Sequence, residues 1–158
     1  MENKINIFNI VEQGNIQAYK SYIDQFDINI INVNGISLLH RAISKRCPEI
    51  AFDLINRSIN INIQDDRGQS SLHYLGFYPN LALAEAIIQN GGDLELKDNY
   101  GNTPLWYVVF NARGNYAFVE LLMQNKANPN LLNNVGKTPH DSASPIKDQR
   151  LIEILNNR

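Results

Sequence analysis

The residues of this chain best suited to chemistry are three histidines, His40, His73 and His140, and one cysteine, Cys47. Together they could bind zinc, or supply a nucleophile with its base. A zinc ion requires ligands that converge to within about 2.3 Å of one point. His40 and His73, however, end two matching nonapeptides, 32–40 (NVNGISLLH) and 65–73 (DDRGQSSLH). Equivalent positions of stacked segments are held about 10 Å apart, so no metal site is expected, and no other cofactor. Cys47 has no second cysteine to pair with, and only Lys45 and Arg46 stand near enough in sequence to lower its pKa. No G-x-S-x-G elbow, phosphate-cradling loop or H-E-x-x-H pair is present, and the chain is not expected to be an enzyme.

The densest positive cluster is Arg41, Lys45 and Arg46, in a chain of net charge −2. Such a cluster complements the C-terminal dipole of a helix, and the overall charge offers no field to draw in nucleic acid. The longest apolar run, 105–110, is far short of the roughly 20 residues that cross a bilayer, so no membrane partner is expected. The first residues, MENKINIFNIVEQGN, lack the apolar core of a secretory signal, and a cytoplasmic location is the expectation.

The elements that carry these residues recur. Segments 32–40, 65–73, 98–106 (DNYGNTPLW) and 133–141 (NNVGKTPHD) align, with glycines at 35, 68, 101 and 136. The step is therefore 33, 33 and then 35 residues. An Asp or Asn three positions before the glycine can fold its side chain onto nearby backbone amides, and the glycine supplies a positive φ. Ser37, Ser70, Thr103 and Thr138 are placed to cap a helix, with Pro104 and Pro139 at the first helical position. A second helix follows each of the first three, with apolar columns at Ile50, Ala51, Leu54 and Ile55, at Leu83, Ala84, Ile87 and Ile88, and at Phe118, Val119, Leu122 and Met123.

This unit resembles the ankyrin repeat, a turn followed by two antiparallel helices with the pattern D-x-x-G-x-T-P-L-H-x-A. Residues 101–106 and 91–98 are the nearest local matches. The resemblance implies an all-α solenoid of about five stacked helix-turn-helix units joined by β-turns or short hairpins. It divides one domain, 1–158, into an N-terminal capping pair at 1–31, full repeats at 32–64, 65–97 and 98–132, and a C-terminal cap at 133–158. Lys4, Asn6, Gln17, Lys20 and Asp24 give the first cap a polar outer side, as Lys147, Gln149, Arg150, Glu153 and Asn157 do for the last, whose closing helix is expected over 146–156. The resemblance also implies that the histidine of each unit ties adjacent turns together, with Trp106 packing in its place in the third full repeat.

A family of this kind binds other macromolecules through its concave face, formed by turn tips and first helices. The positions that the repeat pattern leaves free are the candidate contacts. They are Asp66, Arg67, Gln69, Phe77, Tyr78, Asn99, Tyr100, Asn102, Asn111 and Arg113. Arg, Tyr and Phe are favoured where binding energy concentrates. Phe77 and Phe110 have a competing role in closing the core. A protein partner is therefore expected, bound by a chain that is monomeric when free. Residues 102–114 further resemble small bacterial ankyrin proteins, some of which neutralise toxins as immunity partners. The alternative is a general adaptor, scaffold or effector that binds a cellular protein.

Overall fold

The turn is the element from which the rest of the fold is built. In each unit one side-chain oxygen takes two backbone amides. Asn32 Oδ1 accepts from Asn34 and Ile36, Asp65 Oδ1 from Arg67 and Gln69, Asp98 Oδ1 from Tyr100 and Asn102, and Asn133 Oδ1 from Val135 and Lys137, at 2.9–3.1 Å. The glycines at 35, 68, 101 and 136 all have φ between 70° and 78°. Three of them also stand against the next turn, because a Cβ on Gly101 would lie 2.5 Å from Asn134 Oδ1 and one on Gly68 would lie 2.8 Å from Asn99 Oδ1. The tips are stitched by backbone bonds from Asp66 N to Asn34 O, Asn99 N to Arg67 O and Asn134 N to Tyr100 O.

The chain is described by a computed structural model over residues 5–143 and 148–156, with ten α-helices. They are α1 (Ile7–Glu12), α2 (Ile16–Tyr22), α3 (Leu38–Ser44), α4 (Pro48–Asn56), α5 (Ser71–Phe77), α6 (Leu81–Gln89), α7 (Pro104–Phe110), α8 (Ala117–Gln124), α9 (Pro139–Ala143) and α10 (Gln149–Asn156). Among the described residues β-pairing is limited to one bridge between Ile31 and Ser37, so the units are joined by turns. Lys4, Ile146, Lys147 and Asn157 of the expected caps lie outside the described residues. The other named cap residues are exposed.

Odd-numbered helices pack on one another in sequence, α1 through α9, and even-numbered helices form a second layer, α2 through α10. The core runs between the layers. Of the columns written into the second helices, Ile50, Leu54, Leu83, Ile87, Val119 and Leu122 are buried at 0–2% exposure. Each such side chain contributes about 1.5–3 kcal/mol through the water it sheds. α5 and α7 meet tightly at Gly76, where a Cβ would lie 2.8 Å from the Cβ of Tyr107.

The helix starts differ in detail from a simple hydroxyl cap. At α3 the His40 amide donates to Ser37 Oγ while the Ser37 amide donates back to His40 Nδ1 at 3.1 Å. At α5 the Ser70 amide likewise donates to His73 Nδ1 at 3.0 Å. At α7 the third helical residue is Trp106, which has no acceptor nitrogen to offer, and Thr103 Oγ1 is buried without a partner. The Trp106 amide, which a hydroxyl cap would take, donates instead to the Thr103 carbonyl at 3.0 Å, and Pro104 at the first position brings no N–H of its own to satisfy. At α9 Asp141 takes the histidine's role, its carboxylate accepting from the Thr138 amide at 2.9 Å.

The terminal pairs are fastened by polar ties. Tyr19 on α2 donates to Asp53 on α4 at 2.7 Å, and Arg57 bridges Asp53 and Asp24 at 2.5 Å each. At the other end Tyr116 donates to Asp148, and Arg150 lies over the Tyr116 ring at 5.2 Å. No helix among the described residues is long and apolar enough to cross a membrane.

Candidate functional site

The face that turn tips and first helices form in the middle units is built on a device that recurs once. Asp65 and Asp98 spend one oxygen on their turns, and their second oxygen accepts from a tyrosine nine residues on. Tyr74 donates to Asp65 Oδ2 at 2.9 Å and Tyr107 to Asp98 Oδ2 at 2.6 Å. Burial pushes the Asp65 carboxyl up, but the Gln69 amide, the Tyr74 hydroxyl and the Arg67 amide and guanidinium outweigh it and hold the pKa below the ordinary value. The phenol answers in the opposite sense, with burial and the neighbouring carboxylate raising Tyr74 to about 12. Both groups are locked in one protonation state near neutrality. The pairing was legible as a Tyr at the same register of two consecutive repeats, a signal that period-33 alignment contains and that a search for catalytic motifs passes over.

Arg67 stands at the tip over this anchor. Its Nη2 donates to Asp65 Oδ2 and to Tyr74 Oη, both at 3.2 Å, and its side chain is still 65% exposed. A groove of about 150 Å³ runs from Arg67 past Gln69 and Tyr74 to Phe77 and Tyr78. Tyr100, at the next tip, is 69% exposed, and Phe77 and Tyr78 are 45% and 37% exposed at the far end of α5. Arg67, Phe77 and Tyr78 are thus brought together on one groove.

Two expected contacts lie beneath the surface. Gln69 and Asn102 are buried at 5% and 7%, because each follows the turn glycine directly and its backbone closes the Asx turn. Gln69 forms part of the groove floor, while Asn102 Oδ1 accepts from Asn133 Nδ2 at 2.8 Å. Asp66 and Asn99 are exposed at the tips, though Asn99 Nδ2 is spent on the Asp66 carbonyl at 2.8 Å. Asn111 is half-buried, donating to Gly76 O at 3.0 Å, and Arg113 is exposed with φ of 44°. These last two lie at the far end of the helices with Phe77, on a groove that Phe77 also lines, and away from the tips that carry Asp66, Arg67, Asn99 and Tyr100. Phe77 and Phe110 divide their surface between core and solvent, Phe77 packing on Tyr107 at 4.8 Å and Phe110 stacking on Trp106 at 5.3 Å.

His73 ties two units together as the resemblance implies, with its Nε2 3.0 Å from the Asn102 carbonyl. His40 does not repeat this, since its buried Nε2 faces the Gln69 carbonyl without closing a hydrogen bond. Burial pushes both imidazoles down, His40 to about 4, so both are neutral at pH 7. Both lie beneath the surface with Nδ1 engaged in helix caps. What the surface presents is a guanidinium and three aromatic rings.

The family model of ankyrin repeats (three copies) matches residues 39–133. A protein of Saccharomyces cerevisiae named for regulation of the 26S proteasome is 30% identical over 91% of the chain, which spans 64% of that relative. A protein of Acanthamoeba polyphaga mimivirus, named as an ankyrin repeat protein, is 27% identical over 94% of the chain and 21% of its own length. One of Treponema pallidum, also named for ankyrin repeats, is 26% identical over 95% of the chain and 50% of its own length. The chain thus spans less than two thirds of each of these relatives. Their names refer to ankyrin repeats and the proteasome rather than to toxins.

Proposed function

The chain belongs to the ankyrin-repeat family, whose fold is typically a non-catalytic protein-interaction module, and from that premise we propose that it holds a partner protein on the face running from the Arg67 and Tyr100 tips to Phe77 and Tyr78. One observation carries this reading. Arg67 and the exposed rings of Phe77 and Tyr78 line a groove whose floor includes Tyr74 of the buried Asp65–Tyr74 anchor, with Tyr100 exposed at the next tip. Rings and a guanidinium held in place before binding lose little freedom on contact, and such residues dominate interface energetics. In this reading the chain has no catalytic role and works as a cytoplasmic protein that is monomeric when free.

The finer reading, an immunity protein that masks a toxin, rests on the resemblance of residues 102–114 to bacterial proteins of that type. Co-expression with a toxin encoded beside it tests that reading, and equal killing with and without the protein rejects it. The binding face has its own test. Replacing Arg67 and Tyr100 together by Ala is expected to weaken the captured complex by about 2 kcal/mol or more, measured by calorimetry, with helicity unchanged. Undiminished affinity would place the partner elsewhere.

A further inference from the structure

Beyond Phe77 and Tyr78 the surface continues across the far ends of the odd-numbered helices, about 10 Å from the tips along a seven-residue helix. Here the loops after α3, α5 and α7 leave two grooves that share Pro79 as their dividing ridge. One, of about 210 Å³, lies between Arg46 and Tyr78; the other, of about 520 Å³, runs from Phe77 and Leu81 to Arg113 in the two-residue insertion. Leu81 is 40% exposed, so the ridge is an apolar surface open to water.

The charges of these grooves are one-sided. Arg46 and Arg113 are the charged side chains lining them, and no carboxylate does. Neither arginine forms an ion pair with another described residue, unlike Arg41, Arg57, Arg67 and Arg150. Both are exposed and both are held at positive φ, 56° and 44°, by their loops. In a chain of net charge −2, this edge departs from the average in sign.

We propose that this edge, which adjoins the first face at Phe77 and Tyr78 but uses neither tip, is a docking site for an extended protein segment with a carboxylate at each end and apolar or aromatic side chains between. The two arginines belong to units two repeat steps apart, about 20 Å, which an extended chain covers with about six residues. The apolar middle fills the grooves on either side of Pro79, and each arginine meets one terminal carboxylate. Nucleic acid fits less well, because its phosphates recur at every nucleotide and the grooves offer a cation only at each end.

The test uses the full chain and a fluorescein-labelled peptide of about eight residues, glutamate at both ends and leucine and phenylalanine between, read by fluorescence anisotropy. Binding that weakens about fivefold with each of Arg46→Gln and Arg113→Gln, and that falls as salt rises, is expected. Tyr78→Ala should cost about tenfold or more. A lysine-ended peptide should not bind. The Arg67→Ala, Tyr100→Ala protein should bind the peptide as the parent does, which separates this site from the face proposed above. No peptide binding, or equal binding by an Arg46→Gln, Arg113→Gln protein of unchanged helicity, overturns the proposal. Tighter binding of a short oligothymidylate than of the peptide also overturns it.

Discussion

The second and third turns and the first and fourth turns share a backbone but not an anchor. In the middle pair the turn residue is an aspartate whose free oxygen takes a tyrosine hydroxyl, Tyr74 or Tyr107. In the outer pair it is Asn32 or Asn133, and the residue nine positions on is Arg41, which reaches toward Glu12 at 3.9 Å, or Ser142, which bonds back to Pro139 O at 2.6 Å. The turn itself needs only one acceptor oxygen, and Asn supplies that as well as Asp. What the middle turns add is a buried, charge-assisted link from tip to helix, at the two positions where Arg67 and Tyr100 are presented. The extra tie sits beneath the two tips that carry Arg67 and Tyr100.

The largest test of that contrast removes the anchors. Asp98→Ala frees two turn amides and a buried phenol at once and should cost about 3–4 kcal/mol in urea denaturation, against about 1–2 kcal/mol for Asn133→Ala. Equal costs would mean that the middle turns are not special. Next comes crowding between tips. Gly101→Ala combines a positive φ with a clash against Asn134 and should cost about 3 kcal/mol, whereas Gly136→Ala meets nothing within 4 Å and should cost about 1 kcal/mol of backbone strain.

Acid should expose a difference between the first and second joints. The folded pKa of His40, about 4, lies below the ordinary 6.5, so the fold favours the neutral ring. Its stability contribution is whole above about pH 6.5 and is lost as pH falls through 4, amounting to about 2 kcal/mol between pH 7 and pH 5. His73, which has its Nε2 bonded, is depressed in the same direction. Following both ring protons by NMR from pH 7 to pH 5 checks this, and a His40 that titrates near 6.5 in the folded protein would contradict it. The smallest expected effect is Tyr107→Phe. It leaves Asp98 Oδ2 without the phenol and should cost about 1–2 kcal/mol, while the equivalent removal of a hydroxyl at Ser142 should be close to neutral.

Much of this architecture was readable from spacing. Glycines 33 residues apart, an Asp or Asn three positions before each and apolar columns in the second helices specify turns and helices by local rules. The buried columns follow from the same arithmetic, apart from Ile88 and Met123, which are only partly covered. The candidate surface was less readable. Position in the repeat set Arg67, Tyr100 and Tyr78 apart from turn and core and left Phe77 divided between core and surface, yet it assigned Gln69 and Asn102 to the surface as well. Those two are drawn in because their backbones complete the Asx turn and the neighbouring unit covers them.

The sequence alone settled what repeats, since a turn, a cap and an amphipathic helix are each decided by residues within a few positions of one another. Only the stacked structure decided which polar groups meet across 29 to 35 residues: His73 with Asn102, Asn99 with Asp66, and Asn111 with Gly76. It also decided that Arg46 and Arg113 face apolar grooves on either side of one proline. The reason is physical. Burial and pairing depend on what the adjacent unit brings to within hydrogen-bonding distance, and no local pattern contains that neighbour.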